Sequence, residues 1–196
     1  EGGASLVDRM RMDLLVASGG VLSHAPRLEQ TAMMLLDSFE PEGFTELAKD
    51  SIFMMPHLGV LASVHPQAAM EVFERDCLVV LGTAVSAKGE VKRGKPCFAW
   101  SLTPEIGDAA AASGVVAWGE IVRVPLGAGC TARIEVKPER GIDLGEGPGK
   151  PVSRSVRGGP VGLLLDGRGR PLRLPEQASE RRACLQAWNA AVGVHG

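Results

Sequence analysis

The stretch Leu14-Leu15-Val16-Ala17-Ser18-Gly19-Gly20-Val21 offers this sequence's clearest prospect of chemistry. An apolar run that ends in two glycines lets a backbone approach a flat or charged ligand without interference from a Cβ. A helix opening at Pro26 would turn its positive N-terminal end toward a phosphate. The same strand-Gly-Gly-helix pattern also occurs wherever a strand turns tightly beneath a helix, so the pattern alone admits both a ligand site and a plain turn.

Other reactive side chains form weaker patterns. His24, His57 and His65 are separated by 33 and 8 positions, which matches no zinc pattern, and no thiol or carboxylate joins them at helical spacing. No Gly-x-Ser-x-Gly elbow surrounds Ser18 or Ser23, and a triad of Ser23, His24 and Asp50 has no positional support. Cys77, Cys97, Cys130 and Cys184 occur singly, without a CxxC pair, and read as reduced core thiols rather than a disulfide framework or zinc knuckle. Asp166-Gly167 follows the apolar run Val161 to Leu165 and predicts a type I′ hairpin turn. Around it, Lys150, Arg154, Arg157, Arg168, Arg170 and Arg173 form a basic stretch: either a solvated strand face or a patch for an acidic partner or phosphate-bearing ligand. The glycine-rich run Arg140 to Gly149 reads either as an anion-binding nest or as a long β connection.

Elements must hold these residues in place. Residues 1–76 read as an α/β subdomain: a strand at Asp13 to Ala17, a helix from Pro26 with Leu28, Ala32, Leu35, Leu36 and Phe39 on one face, a second strand at Ser51 to Met55, and a helix from Pro66 to Arg75. Pro41-Glu42-Gly43 closes the first helix. Residues 77–175 read as a mostly β domain, a small barrel or sandwich, with runs at Cys77 to Val85, Cys97 to Leu102, Val115 to Val124, Thr131 to Lys137 and Val161 to Leu165. In the fourth run Ala132, Ile134 and Val136 alternate with Arg133, Glu135 and Lys137. Asp108 to Ser113 is a helical turn or a loop. Residues 176–196 close the chain with a helix whose stripe is Cys184, Leu185, Trp188 and Val192.

Composition narrows the function classes. Nonpolar residues make up 45% of the 196, enough for a core. A net charge of −2, five Phe and no Tyr argue against a dedicated nucleic-acid binder. No apolar run approaches the roughly 20 residues of a membrane helix, and no signal peptide opens the chain, so a soluble cytoplasmic protein is expected. Without an initiator Met, the chain reads as a piece of a longer protein.

The run of apolar residues into Ser18-Gly19-Gly20 resembles the adenosine motif of the actin-like ATPase fold shared by actin, heat-shock chaperones and sugar kinases. More of the chain agrees, in order: Ala17 to Pro26, Asp50 to Ala62, Pro138 to Gly145 and Gly158 to Leu172. Together these segments resemble the C-terminal part of the MutL family of adenosylcobalamin-dependent glutamate mutase systems, which is unrelated to the mismatch-repair protein of that name. The resemblance implies an α+β chain: a C-terminal α/β piece of an actin-like ATPase (ribonuclease H-like) fold, then a mostly β domain and a terminal helix. It implies an accessory protein that acts like a reactivating chaperone on a cobalamin-dependent mutase or aminomutase. ATP or ADP with Mg²⁺ would be the cofactor of the full-length protein, with Ser18, Gly19, Gly20, Val21 and His24 on the nucleotide's adenosine side. Only a dozen residues precede the glycine motif and they hold no phosphate loop, so this chain alone is not expected to hydrolyse ATP. Two other readings stay open: a fragment of a small-molecule kinase or transferase of the same superfamily, and a protein- or RNA-binding module without nucleotide.

Overall fold

Four residues before the glycine pair form strand β1, Leu14–Ala17, in the computed structural model, which describes residues 8–195. After it come a single helical turn, α1 (Gly20–Ser23), and the amphipathic helix α2 (Leu28–Phe39), which opens two residues later than Pro26 suggested. Glu40, in the left-handed conformation, ends α2.

The second strand is β2, Gly43–Asp50, and not Ser51 to Met55 as the apolar run implied. Most of β2 is buried on both faces, so its sequence carries no alternation; Thr45, Glu46, Lys49 and Asp50 fit because each finds a polar partner. Ser51 to Met54 instead turn into helix α3, Met55–Ala62, with Pro56 in its first turn. Helix α4, Pro66–Val72, follows α3 across a short link, packs against it and runs into a wide π-type turn at Phe73–Cys77. This helical pair is an excursion between two adjacent antiparallel strands, β2 and β3 (Leu78–Ser86).

The remaining strands are β4 (Lys88–Gly89), β5 (Pro96–Ile106), β6 (Ala112–Ala117), β7 (Ile121–Val124), β8 (Thr131–Pro138), β9 (Ile142–Asp143), β10 (Val152–Arg157) and β11 (Gly162–Asp166). The run Val115 to Val124 is therefore two strands of different sheets, broken at Trp118-Gly119-Glu120. Asp108 to Ala111 form a loop, with Ala112 and Ser113 already in β6. Val152 to Arg157, within the basic stretch, is a strand that the sequence reading left out.

Five strands form a mixed sheet in the order β1-β2-β3-β11-β7, with β1/β2 and β3/β11 parallel and the other two pairs antiparallel. Four form an antiparallel sheet, β10-β8-β5-β6, and β4 pairs with β9. The sheets do not close into a barrel. Strands from both sides of residue 76 share the five-stranded sheet, since β3, β11 and β7 extend the pair made by β1 and β2.

Two cores define three layers. Between the sheets lie Val85, Leu163 and Leu165 against Phe98, Trp100, Ala132, Ile134 and Val136. On the other face of the five-stranded sheet, Leu47, Leu81 and Leu164 meet Ala32, Leu35 and Leu36 of α2 and Cys184, Trp188 and Val192 of the last helix, α5 (Ala178–Val192). Leu185 of α5, expected in that stripe, faces outward. β11 serves both cores, which is why Leu163-Leu164-Leu165 is continuously apolar: each fully buried leucine contributes roughly 1.5–3 kcal/mol. Where β11 meets β3, Gly82 lies opposite Gly162; Gly82 has φ +143, and a Cβ there would overlap the Gly162 carbonyl. The Asp143 carboxylate, which accepts from the amides of Gly145 (2.8 Å) and Gly147 (3.0 Å), fills the glycine-rich run after β9. The run links β8 to β10, with β9 inside it, and the Asp143 carboxylate occupies these amides.

Candidate functional site

β1 and β2 are parallel and end together, with Ala17 opposite Lys49, so the chain leaves both strands at the same edge of the sheet. At that edge lie the glycine turn that follows β1 and the start of α3 that follows β2. Crevices outside the carboxyl ends of parallel strands are where open α/β sheets hold ligands.

Gly19 has φ +106 and ψ 157, a conformation that side-chain-bearing residues rarely adopt. Among the described residues, no atom beyond the chain neighbours lies within 4 Å of the places where a Cβ would stand on Gly19 or Gly20. The outer side of this turn is therefore bare backbone facing open space. Its inner side is pinned. Lys49 donates through Nζ to the Ser23 carbonyl (3.0 Å), and Thr31 donates through Oγ1 to the Leu22 carbonyl (3.0 Å). Ser18 Oγ donates to Asp50 Oδ2 (3.4 Å). The Ser23 hydroxyl is buried and has no protein partner among the described residues.

Asp50 joins the two exits. Its carboxylate accepts from the amides of Met54 (3.0 Å) and Met55 (2.8 Å), capping α3, while Ser18 reaches it from the glycine turn. Burial would raise the Asp50 pKa, but the amides of Met55, Met54 and Ile52 and the Ser18 hydroxyl outweigh it and hold the carboxyl below its ordinary range. Asp50 is thus a fixed negative charge with its oxygens committed to the protein. The sequence reading weighed Asp50 only as a triad member. Its real place was signalled by an aspartate shortly before a proline-marked helix start.

The structure places Ser18, Gly19, Gly20 and Val21 on one turn, with Val21 exposed and His24 closing α1 through its amide, which donates to the Gly20 carbonyl (3.2 Å). Val21 and His24 are both exposed. Asp50 is engaged by Ser18 and the α3 amides rather than by Ser23 or His24, so the three do not form a triad. His65 precedes α4 as its cap residue, and His57 lies in α3. Among the described residues no three His, Cys, Asp or Glu side chains gather in one place. All four cysteines are free and buried. Burial, with the charges of Asp50 and Asp76, raises the Cys77 pKa, which makes that thiol unreactive although it lies near the site.

The second polar centre is Asp166-Gly167-Arg168-Gly169-Arg170, which is not a hairpin turn: β11 ends at Asp166, no strand among the described residues pairs back onto it from the following segment, and Gly167 lacks the positive φ of a type I′ turn. Arg168 and Arg170 are buried rather than solvated. Asp166 accepts from Arg168 Nε (2.9 Å), Arg168 Nη2 (2.9 Å), Arg168 N (3.0 Å) and Arg170 Nη2 (2.6 Å). Arg168 also donates to Asp37 of α2 (2.8 Å) and stacks on Trp188, 4.9 Å from the ring centroid. Arg170 donates to the carbonyls of Pro41 (3.1 Å) and Gly169 (2.8 Å). Lys150, Arg154, Arg157 and Arg173 remain exposed; of these, Arg157 pairs with Glu46, Arg154 with Glu146 and Arg173 with Glu90.

Among the described residues no helix is long and apolar enough to cross a membrane. Comparison with curated proteins and with solved structures gives no match. Residues 4–77, a segment that contains the glycine turn, β1 and β2 and the α3–α4 pair, match the family model described as MutL protein.

Proposed function

We propose that this chain is part of an accessory protein that works like a reactivating chaperone beside a cobalamin-dependent mutase such as glutamate mutase. The match to the MutL family model supports that role, and the observation that carries a nucleotide-linked version of it is the bare backbone at Gly19 and Gly20. Open space over both glycines fits the flat adenosine end of ATP or ADP, with the Ser18 hydroxyl at its margin. The phosphate and Mg²⁺ end does not fit here: Asp50 is spent on capping α3, and no group of three metal-ligating side chains occurs among the described residues. A fold of the actin-like ATPase kind supplies that end from elsewhere in the longer protein. Binding and release of nucleotide then shift the relative stability of two conformations, and the mutase partner binds one better than the other. In this reading the β sheets serve as the docking surface for cobalamin-dependent mutase or aminomutase subunits, and the protein works in the cytoplasm.

Calorimetric titration of ATP and ADP into this chain and into the longer protein tests the proposal. Binding by the longer protein that is lost in Gly20→Val supports it. Binding unaffected by that substitution removes the glycine turn from the mechanism, and no binding by either protein removes the nucleotide altogether. Gly20→Val is preferable to Gly19→Val, because Gly19 needs its positive φ for folding whereas Gly20 has ordinary backbone angles and room for a side chain.

A further inference from the structure

The α3–α4 pair buries almost nothing of itself. From Ile52 to Asp76 only Leu58 and Ala69 are buried, whereas Ile52, Phe53, Met55, Val60, Val64 and Met70 are each at least 40% exposed. Helices of 8 and 7 residues are too short to hold their shape unaided in water. By contrast, α2 and α5 bury apolar faces against the five-stranded sheet. Between α3 and α4 lies a groove of about 350 Å³, with Leu58 and Ala69 among the residues that line it. We propose that this groove binds an amphipathic helix of another protein, one whose apolar face is flanked by lysine or arginine.

Shape is the first reason. The lining residues recur at positions 55, 58, 59 and 62 of α3 and at 66, 69, 70 and 73 along α4 and the turn after it, the spacing of one helix face. A trough between two such faces is filled by a third helix whose anchors follow the same spacing. Gly59 and Ala62 leave room for large anchors, and Met55 and Met70 adjust to them because methionine is unbranched and flexible. All eight lining residues are apolar, so the groove has no polar group with which to orient a small molecule.

Charge is the second reason. No Asp, Glu, Lys or Arg occurs between Asp50 and Glu71, so the pair carries its charge at one end: Glu71, Glu74 and Asp76 against Arg75. Arg75 is held by Asp76 (2.7 Å), and neither Glu71 nor Glu74 forms an ion pair among the described residues. Two negative charges are therefore in surplus, both exposed and next in the chain to Met70 and Phe73 of the groove. They attract a helix with basic flanks and repel an acidic one or an anionic lipid surface. A second copy of the pair offers them no free cation, because its own Arg75 is bound to Asp76. The glycine turn takes no part, so the inference stands whether or not the protein binds nucleotide.

A fluorescein-labelled peptide of about 14 residues, roughly four helical turns, tests it, with leucines at i, i+3, i+4 and i+7 and lysines elsewhere. Titrated with this chain and read by anisotropy, it is expected to bind at least about tenfold more tightly than the same peptide with glutamates for lysines. Neutralising both acids, Glu71→Gln with Glu74→Gln, should weaken it about fivefold. Gly59→Gln should weaken it about tenfold with no lower melting temperature, because Gly59 is exposed and has ordinary backbone angles, and glutamine is the better helix former. Met70→Gln, also exposed, is a second groove variant with the same expectation. Val60→Gln, on α3 but outside the groove lining, should leave binding unchanged. Equal affinity for the two peptides, or equal weakening by Gly59→Gln and Val60→Gln, would overturn the inference. Three other results would overturn it by naming a different occupant. Doubling of the chain's mass in sedimentation that Gly59→Gln abolishes gives the groove to a second copy. Binding to phosphatidylcholine vesicles that Gly59→Gln abolishes gives it to a membrane. Peptide binding by this chain but not by the longer protein gives it to a segment of the longer protein itself.

Discussion

Replacing Asp166 by asparagine keeps the shape of the side chain and removes its charge. In the wild-type chain its two oxygens hold two guanidiniums, all three side chains inaccessible to solvent. Burial on its own would raise the Asp166 pKa; the charges of Arg168 and Arg170 and their hydrogen bonds outweigh it and hold the carboxyl far below its ordinary range. Removing one partner of a buried ion pair leaves an uncompensated charge and costs about 3–5 kcal/mol. For a chain of this size each kcal/mol lowers the melting temperature by about 2–4 °C, so the drop should be roughly 6–20 °C. Urea unfolding and scanning calorimetry would read both quantities. Their pH dependence adds a second test. A carboxyl whose folded pKa lies below its unfolded value of about 3.9 contributes stability that is fully present above about pH 5 and is lost as the pH falls through the unfolded value toward the folded one. The gap between wild type and Asp166→Asn should therefore be widest near neutrality and narrow in acid. An asparagine variant within 1 kcal/mol of wild type at neutral pH, or a gap that does not change with pH, would refute the reasoning.

Other expectations are simpler. Burial, together with the charges of Asp166 and Glu139, pushes the Cys97 thiol up to about 12, and all four thiols are buried, so a thiol reagent should find almost none at pH 8 in the folded chain and four after unfolding. Trp188→Phe removes the hydrogen bond from Nε1 to the Gly119 carbonyl (2.7 Å) and weakens the stack on Arg168; a loss of about 1–3 kcal/mol is expected by urea unfolding. Gly82→Ala forces a methyl against the Gly162 backbone at a positive φ, and should cost at least about 2 kcal/mol or abolish soluble expression. An alanine variant of wild-type stability would mean that β3 and β11 can separate without cost.

Much of the architecture was legible wherever a single force set the pattern. β8 alternates because one face is buried and the other wet, and α2 follows 3.6-residue spacing for the same reason. β2 was hidden because burial on both faces and local polar partners erase any period. The apolar Ser51 to Met55 looked like a strand, but Asp50 offers its carboxylate to the amides of Met54 and Met55 and turns the chain into α3. At the candidate site the glycines stood out in the sequence, while the role of Asp50 depends on two parallel strands ending together. Arg168 and Arg170 looked solvated because arginine usually is; only the placement of β11 between two cores brings Asp166, Asp37 and Trp188 around them.

The position of β11 also governs the order in which the chain can fold. It pairs with β3, so residue 162 must find residue 82, and the second sheet is made from the segment between them. Contacts this distant in sequence form slowly, because a long loop is closed before any of them is rewarded. On the ribosome, β1, β2 and β3 emerge early but must wait for β11, with Leu81 and Val85 uncovered along the edge of β3. A nascent chain in that state presents an open strand edge beside apolar side chains, the combination that favours aggregation. Synthesis past residue 166 is thus the point at which the five-stranded sheet can first be completed, and chains truncated before it should be found in the insoluble fraction.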